Sequence, residues 1–232
     1  MRRQICDSHS LAFLAKSGLL EAVLFDMDGV ILNSMSLHDD AWRQALLEQG
    51  VEISSEEILL REGEKGTQTA RDLLQKKNRN PTAEQIEGLI QRKRQLLKKN
   101  IRIDLFPMAE ECVDFFHRKG YRLGLVTGSF RHEVELLLPP PVLDRFHVVV
   151  TADDVERGKP HPESYLRAVS KLGVRPQAAL VVENAPYGVR SAKAAGMACI
   201  ALTTSLSREY LKEADWIVPD LEALMSVFNG SE

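Results

Sequence analysis

Six short runs in this chain are apolar with almost no interruption: 22–26, 122–126, 147–150, 179–182, 198–202 and 216–218. They do not alternate apolar with polar residues, so each strand must be covered on both faces. That is the pattern of a parallel sheet. Helical stretches lie between the later runs, with proline near the start and glycine past the end: Pro107 and Gly120, Pro162 and Gly173, Pro186 and Gly196. Strand–helix alternation of this kind predicts an α/β fold, a doubly wound, Rossmann-like parallel sheet.

Residues 34–103 break the alternation and read as helices only. Ser54 with Glu57, and Thr82 with Gln85, have the spacing of capping boxes. The segment leaves the sheet right after the first strand and returns near Pro107, as expected of a small all-helical cap domain. The expected organisation is an N-terminal extension (1–20), a core (21–33 and 104–232) and a cap (34–103), with hinges near 32–35 and 103–106.

Composition excludes several classes. Of 232 residues, 44% are hydrophobic and 27% charged, as in an ordinary globular chain that can bury a large core. The net charge of −3 gives no global basic field, and no nucleic-acid partner is expected. The basic run Arg92-Lys93-Arg94, with Lys98 and Lys99, lacks the interleaved aromatics that stack bases and reads mainly as a solvated helix face. Cys6, Cys112 and Cys199 are odd in number and widely spaced, which disfavours a disulfide framework and suits a reducing cytoplasm. Residues 11–20, after Arg2 and Arg3, faintly suggest a signal peptide, but Lys16 interrupts the run and no small-x-small site follows. No stretch is long and apolar enough for a membrane helix. The expectation is a cytoplasmic monomer that meets no membrane.

The first run ends in Asp26-Met27-Asp28-Gly29-Val30. Residues two apart on a strand share a face, so two carboxylates converge at the strand's carboxyl end. At that range they repel and raise each other's pKa unless a cation intervenes. The pair suits either a hard metal held by oxygen or a nucleophile beside an acid/base. Ligands of open α/β sheets bind beyond the carboxyl ends of the strands, so the other strand ends complete the reading. Thr127-Gly128-Ser129 offers a hydroxyl and free N–H groups ahead of a helix, a phosphate cradle. Lys159, held extended before Pro160, can neutralise a phosphate or the carboxylates. Glu183 and Asn184 offer oxygens to a Mg2+ shell, although Asn184 before Pro186 also reads as a helix cap.

The order Asp-x-Asp, Thr/Ser, Lys-Pro, then an acid–amide pair, resembles the haloacid dehalogenase superfamily. The resemblance runs from residue 21 to about 225. The helical insertion after the first motif is similar to the β-phosphoglucomutase-like subgroup. The resemblance implies Asp26 as nucleophile forming an aspartyl-phosphate, Asp28 as general acid/base, Thr127 and Lys159 as phosphoryl-holding groups, and Mg2+ bound through the later motif. Phosphoryl transfer depends on positioning and charge neutralisation, so the roles fit the chemistry. Loss of Asp28 as proton donor is expected to cost on the order of 10²–10⁴ in rate.

Two departures bear on substrate. Asn184 stands where the family commonly has Asp, removing one negative charge from the metal site. The cap loop Glu62-Gly63-Glu64-Lys65-Gly66 lacks the Arg that grips the distal phosphate in mutases of the subgroup, although Arg61 is near. Glu-Gly-x-x-Gly in the cap with Glu-Asn-Ala-Pro in the core resembles a branch associated with inorganic pyrophosphate hydrolysis, which implies Glu62 as a metal ligand on closure. His38, ahead of Ala41-Trp42, and Lys93 are the remaining cap candidates for substrate contact, beside Gly128 and Ser129 of the core. The expected function is Mg2+-dependent hydrolysis of a small phosphorylated substrate, pyrophosphate or a sugar phosphate. A phosphosugar mutase is the alternative; a non-catalytic phosphate-binding domain is the third.

Overall fold

The computed structural model describes residues 18–76, 80–99 and 104–229. The N-terminal expectations for 1–17, including Cys6, lie outside the described residues. Six parallel strands form one sheet in the order β3-β2-β1-β4-β5-β6: β1 (Ala22–Phe25), β2 (Arg122–Val126), β3 (Val148–Val150), β4 (Ala179–Glu183), β5 (Ala198–Leu202) and β6 (Trp216–Val218). The strands fall within one residue of the apolar runs in the sequence. Strand β1 is central, with Phe25 level with Leu125 on one side and Val182 on the other. The chain order reverses beside it, so the crevice for a ligand opens at its carboxyl end.

After β1 the chain forms helices only, α1 (Met35–Leu47), α2 (Ser55–Leu59), α3 (Gly66–Lys76) and α4 (Ala83–Lys99), before it returns to the sheet. Both capping boxes form. Glu57 N–H donates to Ser54 Oγ while Ser54 N–H donates to Glu57; Thr82 and Gln85 exchange the same pair of bonds. These four helices bury their own core, built around Trp42, Leu46, Ile58, Leu73, Leu89 and Ile90.

The sheet is covered on both faces. On one lie α5 (Ala109–Arg118), α6 (Arg131–Leu137), α7 (Pro140–Leu143) and, late in the chain, α10 (Leu221–Asn229); Val23 and Phe25 point to this side. On the other lie α8 (Glu163–Leu172) and α9 (Pro186–Ala194), met by Ala22 and Leu24. Gly173 (φ +66°) and Gly196 (φ +74°) take the left-handed conformation past the ends of α8 and α9, which only glycine adopts without strain. Among the described residues no helix is long and apolar enough to cross a membrane.

Candidate active site

Asp26 continues β1 by one bond, its N–H donating to Val182 O at 3.0 Å. Side chains alternate along a strand, so Asp26 follows Ala22 and Leu24 onto the α8/α9 side. Glu183 follows Val181 onto the same side of β4. Lys159 joins them: its Nζ donates to Asp26 Oδ1 at 2.5 Å, Glu183 Oε1 at 2.6 Å and Val126 O at 3.2 Å. All three side chains are buried. Burial pushes the Asp26 carboxyl well above the usual carboxylate range; Lys159 opposes this, and Glu183 and Asp28 add to it. Burial alone would lower Lys159, but Asp26 and Glu183 raise it strongly and keep it charged.

Asp28 faces a different set. Ser34 Oγ donates to its Oδ1 at 2.6 Å and Ser129 Oγ to its Oδ2 at 3.0 Å. His38 Nε2 lies 3.4 Å from Oδ1, an electrostatic contact too long for a good hydrogen bond, and it has no other partner among the described residues. Burial raises Asp28, yet His38, Ser34 and Ser129 outweigh it and hold the carboxyl well below its usual range. Lys93 Nζ stands 3.2 Å from His38 Nδ1 and 5.7 Å from the centre of the Trp42 ring. An ammonium can donate there only if Nδ1 carries its lone pair, which places the imidazole proton on Nε2, toward Asp28. The two carboxylates predicted from one dipeptide spacing therefore have separate environments.

Glu62 comes from the helical insertion into this second group. Its electrostatic neighbours are His38, Asp28 and Lys93, and burial pushes its carboxyl up. The turn that carries it rests on bare backbone: Gly63 (φ +80°) leaves 2.8 Å between its absent Cβ position and Lys159 Cδ, and a Cβ on Gly128 would lie 2.9 Å from Gly63 O. Between the insertion and Gly128-Ser129 remains a cavity of about 60 Å3, lined among others by His38, Trp42, Glu62 and Lys93.

Thr127 is buried, and its Oγ1 accepts from Ser129 N–H at 3.0 Å, so that N–H is taken up within the loop. Asn184 donates from Nδ2 to Ser205 Oγ at 2.9 Å, while its buried Oδ1 has no hydrogen-bond partner among the described residues. Glu183 requires a correction as a metal ligand. Its Oε1 accepts from Lys159 and, at 2.8 Å, from Tyr165 OH; its Oε2 accepts from the N–H groups of Asn184 and Ala185. Four donors fill both oxygens, so this carboxylate anchors Lys159.

The family model for haloacid dehalogenase-like hydrolases matches residues 20–196. The chain belongs to that family. It is 32% identical over 206 residues to the validoxylamine A 7'-phosphate phosphatase of Streptomyces hygroscopicus, covering 88% of this chain and 95% of the relative. It is 26% identical to the pyrophosphatase PpaX of Oceanobacillus iheyensis, covering 91% and 98%. A Bacteroides vulgatus structure provisionally named a β-phosphoglucomutase superposes with a TM-score of 0.84 at 30% identity, covering 96% of this chain and 98% of that one.

In this haloacid dehalogenase-like hydrolase several residues beside the motifs escaped the sequence reading. Ser34 and Tyr165 each complete a carboxylate's hydrogen bonding, and Arg94 and Phe130 border the cavity. Tyr165 stands two residues into α8, outside every motif. Arg61 does not reach inward as a free cation: it is paired with Glu64 at 3.1 Å and Asp72 at 2.9 Å.

Proposed function

We propose that this hydrolase is a Mg2+-dependent phosphohydrolase that works through an aspartyl-phosphate on Asp26, with residues 34–103 acting as a cap over residues 21–33 and 104–232. The observation that carries the reading is the division of labour between the two carboxylates. Lys159 holds Asp26 Oδ1, which leaves Oδ2 for attack, while Asp28 is oriented from the other side by Ser34 and Ser129. Asp26 Oδ2 forms a bond to phosphorus as the bond to the leaving oxygen breaks, and Asp28 delivers its proton to that oxygen. Water then attacks phosphorus, gives its proton to Asp28, and frees phosphate and Asp26. A dianionic phosphoryl group beside Asp28 raises its pKa from the depressed value of the free site, which supplies the proton the first step needs.

The residues present fit Mg2+. The unpartnered, buried Asn184 Oδ1 and the burial-strained Asp26 carboxylate offer hard oxygens. No three His, Cys, Asp or Glu side chains cluster as a self-sufficient metal site among the described residues, in keeping with an ion that takes one or two protein oxygens and completes its shell with water and substrate phosphate. Asp26 and Asn184 would hold it, with Asp28 adjoining and Glu62 reaching in from the cap. Bound there, it supplies neutralisation of charge on the phosphoryl oxygens. Lys159, Thr127, Gly128 and Ser129 hold the same group from the protein side.

The cavity supports a small leaving group. The cavity is small, about 60 Å3, and pyrophosphate is the small anionic substrate to try first. The cap turn itself offers no free cation: Arg61 is paired off and Lys65 Nζ is bound to Val155 O at 2.5 Å. The test is phosphate release with Mg2+ from pyrophosphate, sugar phosphates and nucleotides. Activity is expected on pyrophosphate, abolished by Asp26→Asn and lowered by Glu62→Ala. Activity surviving in Asp26→Asn refutes the nucleophile, and conversion of β-glucose 1-phosphate to glucose 6-phosphate without net phosphate release refutes hydrolysis.

A further inference from the structure

The cap presents three cations to the cavity, and their charges are spent differently. Arg61 is neutralised by Glu64 and Asp72. Lys93 lies among Glu133, Glu62 and Asp28 and is occupied with His38. Arg94 forms no ion pair with a carboxylate among the described residues. Its guanidinium lies instead 4.3 Å from the ring centre of Phe130, the residue that follows Ser129. Phe130 belongs to the core and Arg94 to α4, so this stacking crosses the cap–core boundary at the edge of the phosphate cradle. Arg92, the remaining residue of the basic run 92–94, does not line the cavity and pairs with Glu48 at 2.6 Å.

We propose that Arg94, held by Phe130, is the receptor for an anionic leaving group, a small tetrahedral oxyanion of phosphate size. This rests on the phosphohydrolase reading and adds its specificity-determining residue. Stacking on an aromatic face orients a guanidinium and removes water from one side while leaving its N–H edge free. That edge can take two oxygens of a phosphate at once. Trp42, Ile58 and Ile90 give the cavity an apolar portion beside Arg94 in its lining. Charge develops on the leaving oxygen as its bond to phosphorus breaks, so a cation placed there acts on the transition state. A neutral leaving group gains nothing from it.

The experiment compares pyrophosphate with glycerol 3-phosphate in the full chain with Mg2+. Arg94→Ala is expected to lower kcat/KM for pyrophosphate by about 10²-fold, largely in kcat, and to leave glycerol 3-phosphate turnover unchanged. Added guanidinium ion is expected to restore part of the lost pyrophosphate rate. Phe130→Leu, which removes the platform but keeps the cation, should weaken pyrophosphate turnover less, and Arg92→Ala should change neither substrate. An equal loss on both substrates, no loss on pyrophosphate, or a wild-type protein that hydrolyses other phosphates but not pyrophosphate overturns the assignment while leaving the nucleophile in place. A wild-type protein inactive on every phosphate ester and anhydride overturns the underlying reading as well.

Discussion

Lys159→Met isolates the central electrostatic contact of the core. Methionine is close to lysine in length, so the substitution opens little space; what it removes is one buried cation that serves two carboxylates at 2.5 and 2.6 Å, and one bond to Val126 O. Removing one partner of a buried ionic group costs about 3–5 kcal/mol, because the remaining charge is left uncompensated. For a chain of this size each kcal/mol moves Tm by about 2–4 °C, so the expected deficit at neutral pH is about 6–20 °C. Its pH dependence has a definite sign. Asp26 already has a raised folded pKa, and a carboxyl whose folded pKa exceeds its unfolded value loses stability as pH rises from the unfolded value through the folded one. Without Lys159 that upward shift grows for Asp26. The Tm gap between wild type and variant, measured by calorimetry in chelator-treated protein, should therefore be largest above neutrality and shrink toward pH 5 as the carboxyls take up protons. A gap of under 2 °C at pH 7.5, against the several degrees each kcal/mol should produce, or a gap that widens on acidification, would refute the argument.

Two further outcomes follow from packing. Gly188→Ala places a Cβ 1.7 Å from Glu183 Oε1, so Glu183 must turn away from Lys159; a loss of about 1–3 kcal/mol in chemical denaturation is expected, with a fall in phosphate release, and wild-type values in both would show that the anchor is dispensable. Cys112 and Cys199 are buried and their thiols are pushed up chiefly by burial, so neither should react with a thiol reagent in the folded protein, and both should react once guanidinium is added.

The sheet was legible because continuous apolar runs have few other uses, and β1 through β6 appear where those runs lie. The capping boxes at Ser54 and Thr82 were equally plain, being local chemistry between residues three apart. A helix was expected after Ser129, where α6 forms, whereas α7 and α10 lack clear punctuation and were not read from the sequence. At the site, strand-end motifs pointed to Asp26 and Lys159, which touch, and to Asp28, which meets Ser129 of the Thr127 loop. Ser34, Tyr165, Arg94 and Phe130 reach the same place only through the packing of separate elements, which no spacing records. The basic run 92–94 shows the limit most clearly: three adjacent residues on one helix face a surface carboxylate, a buried histidine and an aromatic ring in turn.

The contact between Gly63 and Gly128 also bears on how such an enzyme can be altered. There main chain lies against main chain, and neither position has room for a side chain. A mutagenesis library aimed at new substrates gains nothing from that seam, since its members would force the two turns apart. Diversity belongs on the opposite wall, along the inner face of α4, where residues of graded length can reset the depth of the chamber without breaking its closure.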